Sequence, residues 1–307
     1  MDMGTTNTRV FLADGNRVIG KKKGAFGAGS TKRNGRGFLL DSVRNLFFEL
    51  CIENGSSLSD IDEIIVSGMA GSEIGLLDVP HMPIPASVKD MAKNTLKTNV
   101  KEICEAPFVF VRGLKKTEGD MLCDIMRGEE TETVGILSAQ NRGDAAVIVL
   151  PGTHNKIISV DENGIITDFY TTFSGELLSG IVSNSILTGQ VSYDFEICES
   201  EVRRGAEYTK ENGLNAAIFH VRVDSKNGRS VDELSSFLVG AVIAEDIPLI
   251  KRVAKNKKIF VGGRESLRRI YTMLIGENAY ELEDEVSENA VMRGLMEIRS
   301  YINENKV

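Results

Sequence analysis

Two stretches of the chain share a residue pattern that is suited to binding phosphate. Residues 4–19 read GTTNTRVFLADGNRVI, and residues 152–166 read GTHNKIISVDENGII. A glycine lets the backbone approach a bound group closely, and a threonine hydroxyl beside free backbone amides can donate hydrogen bonds to it. The residues expected to bind phosphate are therefore Gly4, Thr5, Thr6, Asn7, Gly152, Thr153 and His154. A chance match between two common Gly-Thr turns is the alternative explanation.

A carboxylate immediately precedes the first stretch, giving Asp-x-Gly-Thr-Thr-Asn from Asp2 onward. A carboxylate beside a phosphate-binding turn is well placed to hold Mg²⁺, usually through water, because this ion keeps several of its own waters. We therefore expect Asp2 to be a metal-binding residue. An aspartate that only caps a turn is the alternative.

The motif DIMRGEET, residues 124–131, lies between the two stretches and begins with Asp124. Phosphoryl transfer depends on positioning, charge neutralisation and a base near the attacking hydroxyl. Asp124, at an expected junction between a loop and a helix, is the candidate base, and Asp120 is the competing carboxylate. Aspartate is also a favoured N-cap residue of helices, which would explain Asp124 without any catalytic role.

Arg127, in the same motif, is the second candidate for the catalytic centre. Its guanidinium could bind a substrate carboxylate in bidentate fashion. An ion pair with Glu129 or Glu130 would account for it equally well.

Two further glycine-rich turns follow predicted strands. Gly262 and Gly263 could pass under an adenine ring without side-chain obstruction, or could form a simple turn between a strand and a helix. The GMAGS loop, residues 68–72, is typical of a strand edge that faces a ligand. The residues of this loop that we expect near a substrate are Gly68, Gly71 and Ser72. Neither a dinucleotide fingerprint nor a P-loop motif occurs in the sequence.

These candidate residues depend on a predicted alternation of strands and helices, which indicates an α/β fold with mixed sheets. Each Gly-Thr stretch is predicted to open a β-hairpin with an Asp/Gly/Asn turn. Residues 37–53 are predicted to be helical, and residues 120–140 are predicted to be helical with a break at Gly128. The repeat predicts two related domains, residues 1–143 and 144–307, with a boundary near Asn141 to Asp144.

Composition excludes several classes of protein. A formal net charge of -8 and a pI near 5.2 argue against binding to nucleic acid, which requires clustered basic surface. No stretch approaches the roughly 20 consecutive apolar residues that span a bilayer, so we expect a cytoplasmic protein without a membrane anchor. The four cysteines and three histidines are scattered, which makes a zinc site or a disulfide framework improbable.

The motifs together resemble those of the actin, hexokinase and sugar-kinase superfamily, and more closely the 2-dehydro-3-deoxygalactonokinase family. The segments that carry this resemblance are DMGTTN from Asp2, GMAGS from Gly68, DIMRGEET from Asp124, LPGTH from Leu150 and SGEL from Ser174. The resemblance departs from the family pattern at Glu132, at Asn155 to Ile157, and in having only Met1 ahead of Asp2, so the first strand is expected to be short.

This resemblance implies two duplicated ribonuclease H-like domains with an ATP cleft between them. It implies ATP-dependent phosphorylation of the terminal 6-hydroxyl of 2-dehydro-3-deoxygalactonate in galactonate breakdown, with Mg²⁺ as cofactor. By analogy with related sugar kinases, the aspartate that opens the helix ahead of the second phosphate turn is the base, which again selects Asp124. The expected partner is a small sugar acid, and a homodimer is compatible with the family. The alternatives are another sugar or sugar-acid kinase of this fold, or a non-catalytic regulator that binds ATP.

Overall fold

The computed structural model describes residues 1–140 and 143–304, and the side chains of all of these except residue 304. The chain forms two compact units, of which unit 1 comprises Met1–Gly143, Gly164–Asp168 and Glu288–Val307, and unit 2 comprises Asp144–Asn163 and Phe169–Ser287. Part of the predicted boundary stretch, Asn141 and Arg142, lies outside the described residues. The domain limits 1–143 and 144–307 therefore stay a prediction.

Unit 1 is built on a six-stranded sheet and a three-stranded sheet. Its strands are β1 (Asp2–Met3), β2 (Thr8–Asp14), β3 (Arg17–Gly24), β4 (Ile64–Gly68), β5 (Met82–Pro83), β6 (Leu96–Asn99), β7 (Pro107–Phe110), β8 (Leu114–Glu118) and β9 (Met121–Met126). Its first helices are α1 (Ser30–Glu53), α2 (Val88–Lys93) and α3 (Glu129–Gln140). The larger sheet has the order β3-β2-β1-β4-β7-β6, and the smaller sheet has the order β5-β8-β9.

The first predicted hairpin is confirmed, with β2 and β3 antiparallel around a turn at Asp14 to Arg17. Strand β1 pairs antiparallel with β2 and parallel with β4, so it lies inside the sheet. Helix α1 covers the sheet with the buried apolar side chains that periodicity predicted, namely Leu39, Val43, Leu46, Phe47 and Leu50. The helix begins earlier than expected, at Ser30, and non-helical backbone at Gly35 interrupts it.

The predicted helix over residues 120–128 is wrong. Residues Met121–Met126 form strand β9, which pairs antiparallel with β8, so that Asp124 lies opposite Lys116 rather than at the start of a helix. Helix α3 begins at Glu129, after Gly128, whose φ of 111° is left-handed. The hydrogen bonds that stabilise β9 come from β8, and the local sequence of β9 does not reveal this partner. The prediction of a helix failed for this reason.

Unit 2 repeats the central topology of unit 1. Its strands are β10 (Ala146–Leu150), β11 (Asn155–Val160), β12 (Ile166–Thr172), β13 (Lys258–Val261) and β14 (Ala279–Glu281). Its helices are α4 (Ser174–Asn184), α5 (Glu199–Asn212), α6 (Leu214–Lys226), α7 (Val231–Ala244), α8 (Ile247–Ala254) and α9 (Glu265–Ile275). The sheet order β12-β11-β10-β13-β14 matches β3-β2-β1-β4-β7, with the third and fourth strands parallel in both units.

This shared strand order confirms the duplication that the sequence repeat predicted. Strand β10 reads AVIVL and is buried throughout, as expected for a central strand rich in β-branched residues. The last helix, α10 (Asp284–Glu304), ends within unit 1, where Gly135 and Gly294 allow α3 and α10 to approach closely. Within residues 1–140 and 143–304, we find no helix that combines the length and apolar character needed to cross a bilayer.

Helices α5 and α7 form the most closely packed helix pair of unit 2. A Cβ atom at Gly205 would lie 2.1 Å from the carbonyl oxygen of Phe237, and one at Gly240 would lie 2.1 Å from that of Val202. Real Cβ atoms do not approach a backbone oxygen so closely, so both positions require glycine. Helix α7 itself starts at a capping box in which the Ser230 hydroxyl accepts from the backbone of Glu233.

We predict that Gly240→Ala lowers the free energy of unfolding by about 2 kcal/mol or more, because the added methyl forces two helix backbones apart. Thermal and urea denaturation measure the effect. Gly180→Ala in α4 is the matched control: it meets no atom within 4 Å and should stabilise the helix by about 0.5–1 kcal/mol. Equal stability of the two variants would contradict the close packing of α5 and α7.

Candidate functional site

The first Gly-Thr turn joins β1 to β2 and presents exposed residues. The amide of Gly4 donates to the carbonyl of Asn7 at 2.8 Å, while the carbonyls of Gly4 and Thr5 accept from the amides of Ala28 and Gly29 at 3.0 and 2.9 Å. The backbone amides of Thr5 and Thr6 donate to no other group within the described parts of the chain. Two exposed amides without partners at a tight turn are the donors that an anion would need.

Glycines ahead of α1 hold this turn. A Cβ atom at Gly27 would lie 2.3 Å from the carbonyl oxygen of Gly4, and one at Gly29 would lie 2.9 Å from that of Thr5. The segment before the helix can therefore lie directly against the turn only because these residues lack side chains.

The second Gly-Thr turn, between β10 and β11, has the same form. Gly152, Thr153 and His154 are exposed, and the amide of Gly152 donates to Oδ1 of Asn155 at 2.9 Å. A Cβ atom at Gly175, in the first turn of α4, would lie 1.8 Å from the carbonyl oxygen of Gly152. A glycine at the start of the following helix therefore packs on the turn in both units.

A buried hydrogen-bond network anchors the second turn. The side-chain amide nitrogen Nδ2 of Asn155 donates to Oδ2 of Asp246 at 3.0 Å and to the Tyr271 hydroxyl at 2.6 Å. The Tyr271 hydroxyl in turn donates to Asp246. The Ser174 hydroxyl donates to Oδ1 of Asp246 at 2.8 Å. Burial, followed by the charge of Asp246, raises the pKa of Tyr271 well above its usual value, so the hydroxyl stays a donor. This network ties the turn to α4, α8 and α9.

The Gly262 and Gly263 turn lies against the second Gly-Thr turn. The amide of Gly262 donates to the carbonyl of Val149 at 2.9 Å, and a Cβ atom at Gly263 would lie 2.9 Å from the carbonyl oxygen of Pro151. The carbonyl of Gly263 accepts from Arg268 and from the Ser287 hydroxyl, each at 3.0 Å. Within unit 2 the structure therefore brings together two of the predicted sites, the second phosphate turn and the candidate adenine turn.

In unit 1, Asp2 lies where β1, β4 and the start of α3 meet. Asp2 is 7% exposed, and its Oδ2 accepts from Nη2 and Nε of Arg9 at 2.7 and 3.0 Å. Gly68, at the end of β4, has a left-handed φ of 77°, and a Cβ atom there would lie 2.9 Å from Oδ1 of Asp2. Gly128 approaches Gly68 so closely that a Cβ atom on Gly128 would lie 3.2 Å from the Cα atom of Gly68. Three of the predicted motifs thus converge here.

Three glutamates at the start of α3 complete this cluster. Oε2 of Glu129 accepts from the amide of Arg127 at 3.0 Å, and Oε2 of the fully buried Glu130 accepts from the amide of Gly128 at 2.7 Å. Burial, followed by the charge of the nearby Glu129, raises the pKa of Glu130 to about 8. Burial also raises the pKa of Glu132 to about 7, with smaller effects from Glu129, Arg9 and Asp2.

The charges of Glu129, Arg9 and Asp2 all influence the pKa of Glu132, so Glu132 lies close to these three residues. Sequence reasoning treated Glu129 and Glu130 only as ion-pair partners and saw no chemical part for Glu132. The signal that could have found them was the run of acidic residues directly after Gly128, because the first turn of a helix favours negative charge.

Arg127 does not form the ion pair that was its alternative explanation. Its Nη2 donates to the carbonyl of Val79 at 2.7 Å and lies 3.2 Å from Nδ1 of His81. Gly71 borders the guanidinium, since a Cβ atom there would lie 2.8 Å from Nη1. Ser72 turns back on its own loop and donates to the carbonyl of Met69 at 2.6 Å. The structure therefore joins Arg127 to the GMAGS loop.

Asp124 lies five positions before Glu129, the first residue of the helix that it was expected to open. It is half-buried on β9, and its Oδ1 accepts from the backbone amide of Ile125 at 2.7 Å. Its assignment as the base rested on a position at the start of the helix, and that position belongs to Glu129.

His154 contacts residues at the start of α4. Nε2 of His154 lies 2.8 Å from Oε2 of Glu176, and its ring stacks on Phe173 at a centroid distance of 5.8 Å. Within residues 1–140 and 143–304, no group of three or more His, Cys, Asp or Glu side chains is arranged to hold a metal ion. A cation near Asp2 would therefore take most of its ligands from water and from a bound phosphate.

Comparison with known proteins identifies relatives across nearly the whole chain. The model of the 2-keto-3-deoxy-galactonokinase family matches residues 2–298. The chain is also similar to the 2-dehydro-3-deoxygalactonokinase of Escherichia coli strain K12, with 26% identity over 253 residues, or 80% of this chain and 78% of that protein.

Solved structures show the same fold. A crystal structure from Sinorhizobium meliloti, provisionally named a 2-dehydro-3-deoxygalactonokinase, superimposes with a TM-score of 0.80 at 22% identity, covering 98% of this chain and 97% of that chain. Component A of the (R)-2-hydroxyglutaryl-CoA dehydratase of Acidaminococcus fermentans gives a TM-score of 0.53 at 12% identity, covering 98% and 96%. These likenesses confirm the predicted α/β fold with two duplicated halves and mixed sheets.

We predict that Asp246→Ala lowers the free energy of unfolding by about 3 kcal/mol or more, because it leaves the donors of Asn155, Tyr271 and Ser174 buried without an acceptor. Ser174→Ala, which removes a single donor, should cost about 1 kcal/mol. Chemical denaturation of both variants measures the difference. Similar losses in the two variants would show that Asp246 does not organise the network.

We predict that the contribution of Glu130 to the free energy of unfolding falls as pH rises between about 4.5 and 8. Folded Glu130 keeps its proton up to a pKa of about 8, whereas a glutamate in the unfolded chain ionises near its ordinary value of 4.5. Unfolding then releases one proton, which gives a slope of about 1.4 kcal/mol per pH unit. Glu130→Gln should remove this contribution and leave the part due to Glu132.

Urea denaturation at a series of pH values measures this slope. The matched control is Glu105→Gln, which makes the same change of charge at an exposed position and should keep the slope of the parent protein. A Glu130→Gln variant with an unchanged slope would rule out a protonated Glu130 in the folded state.

Proposed function

The chain belongs to the 2-keto-3-deoxy-galactonokinase family, and from that premise we propose that it transfers the γ-phosphoryl group of ATP to the 6-hydroxyl of 2-dehydro-3-deoxy-D-galactonate in galactonate breakdown. The observation that carries this proposal is the match of the family model over residues 2–298. The enzyme is accordingly a sugar-acid kinase. The E. coli relative, which carries the name of this activity, gives independent support.

The phosphates of ATP are proposed to bind at the two Gly-Thr turns. The exposed amides of Thr5 and Thr6 in the first turn, and the exposed turn at Thr153 and His154 in the second, support this role. Backbone amides of a tight turn bind phosphate without the desolvation cost of a buried cation. The glycine pair Gly262 and Gly263, which packs on the second turn, is proposed to lie under the adenosine.

Asp2 is proposed to hold Mg²⁺ through water. Its Oδ2 is engaged by Arg9, and its Oδ1 faces Gly68, where the missing side chain leaves room. The ion, when bound, would neutralise charge on the phosphate oxygens, which is its usual part in phosphoryl transfer. Gly68, Gly71 and Ser72 are proposed to border the sugar acid.

Two carboxylates compete for the role of general base. Asp124 remains a candidate because it lies in the DIMRGEET motif. In related sugar kinases, however, the base is the residue at the start of the helix, and Asp124 does not occupy that position. Glu129 occupies that position directly after Gly128, which packs against Gly68 beside Asp2, and both Glu129 and Asp2 influence the pKa of Glu132. A base must reach the attacking hydroxyl close to the transferred phosphoryl group. We therefore propose Glu129 as the base in preference to Asp124.

We predict that Glu129→Gln lowers kcat by at least about 100-fold, because general base catalysis contributes that much or more, whereas Asp124→Asn lowers kcat by less than about tenfold. A coupled assay of ADP release with Mg²⁺-ATP and 2-dehydro-3-deoxygalactonate measures both variants. The gluconate epimer and common hexoses serve as alternative acceptors.

Each outcome of this assay has a distinct meaning. Loss of turnover in Asp124→Asn but not in Glu129→Gln would show that Asp124 is the base. Faster turnover on a hexose or on the gluconate epimer than on 2-dehydro-3-deoxygalactonate would show that the protein is a different kinase of the same fold. ATP binding without turnover on any acceptor would overturn the kinase proposal in favour of an ATP-binding regulator.

A further inference from the structure

We propose that Arg127, together with His81, binds the carboxylate of the sugar-acid substrate and so selects acids over neutral sugars; this inference rests on the proposed function. The substrate carries a carboxylate at one end and the reacting 6-hydroxyl at the other. An enzyme of this class therefore needs a cation remote from the transferred phosphoryl group. Arg127 provides one beside the GMAGS loop.

The guanidinium of Arg127 has spare donor capacity in a protected position. One nitrogen, Nη2, donates to the carbonyl of Val79 and contacts His81, whereas Nη1 is buried and has no hydrogen-bond partner among the described residues. A buried donor without an acceptor costs free energy of folding, so such groups are usually satisfied by a ligand or a water. A carboxylate oxygen would satisfy Nη1.

The charge of Arg127 is also left without a direct counterion. Burial lowers its pKa, and the nearby Glu130 and Asp78 oppose this shift, yet no carboxylate in residues 1–140 and 143–304 forms an ion pair with the guanidinium. Glu129 and Glu130 accept instead from backbone amides at the start of α3. A half-buried cation with no ion-pair partner favours an anionic ligand.

Glycines shape the surroundings of the Arg127 and His81 pair. A Cβ atom at Gly71 would lie 2.8 Å from Nη1 of Arg127, and one at Gly113 would lie 2.7 Å from Cδ2 of His81 and 3.1 Å from Cβ of Arg127. Any side chain at either position would displace the pair. The hydrogen bond from Nη2 to the carbonyl of Val79 orients the planar guanidinium, and bidentate recognition of a carboxylate requires such an oriented plane.

Arg36 shows how an arginine with a purely structural role differs. Its Nη1 and Nη2 donate to the carbonyls of Gly75 and Leu76, at 3.1 and 2.6 Å, in the same loop that Arg127 contacts through Val79. Both terminal nitrogens of Arg36 thus bind carbonyl oxygens, whereas Nη1 of Arg127 binds none. Arg36 is consequently the matched control for loss of loop anchoring.

The test measures binding of 2-dehydro-3-deoxygalactonate to the full chain by titration calorimetry without nucleotide, and its KM and kcat by ADP release. We expect Arg127→Gln to weaken binding and to raise KM by at least about 30-fold, with a smaller change in kcat and an unchanged affinity for ATP. Arg127→Lys, which keeps the charge but loses the planar fork, should have an intermediate affinity.

Arg36→Gln should lower the thermal midpoint but leave the affinity for the keto acid within about threefold. Retained affinity in a folded Arg127→Gln variant would overturn the proposal and leave the kinase activity standing. Equal losses of affinity in Arg36→Gln and Arg127→Gln would also overturn it, because loop anchoring would then explain both.

Failure of the kinase proposal is a separate result. A parent protein that binds the keto acid through Arg127 but does not phosphorylate it would preserve the carboxylate site and refute only the reaction. A parent protein that binds no sugar acid at all would refute both.

Discussion

A turn that offers its backbone amides to a ligand cannot use those amides to hold itself in shape. This constraint applies to the proposed phosphate-binding role of both Gly-Thr turns, whose exposed residues contribute few hydrogen bonds of their own. Each turn is instead held in place by close contact with glycines and by hydrogen bonds to its carbonyls or to flanking side chains. The support that such an exposed turn requires comes from strand β1 or β10, from the helix that follows and from the order of the strands in the sheet.

The two units meet this requirement by different means. In unit 2, Asp246 lies at the centre of a buried network that joins the turn residue Asn155 to Ser174 and Tyr271. In unit 1, carbonyls of the turn accept from the backbone before α1, and the neighbouring carboxylate of Asp2 is held by the half-exposed Arg9. The first turn therefore has an ion pair at its edge, and the second has a neutral donor set around a buried carboxylate.

Sequence patterns predicted the duplicated hairpins and most of the central strands, because apolar periodicity and turn residues are local signals. The strand β9 was missed because its stability comes from pairing with β8, and Asp124 was misplaced as a result. Asp246 was missed because nothing near it in the chain signals a contact with Asn155, which lies 91 positions away. The placement of Glu129 could have been inferred from the acidic first turn of α3, but the approach of Gly128 to Gly68 beside Asp2 could not.

The contrast between the two turns has an evolutionary consequence. At the second turn, a single substitution of Asp246 leaves several buried donors unpaired. Sequences that have lost Asp246 but not yet replaced its partners would therefore fold poorly. At the turn edged by Asp2 and Arg9, the buried carboxylate has one side-chain partner, so a substitution of Arg9 leaves one group unpaired rather than several. Descendants of this chain could accordingly acquire new acceptor specificity through unit 1 while the second turn stays nearly constant.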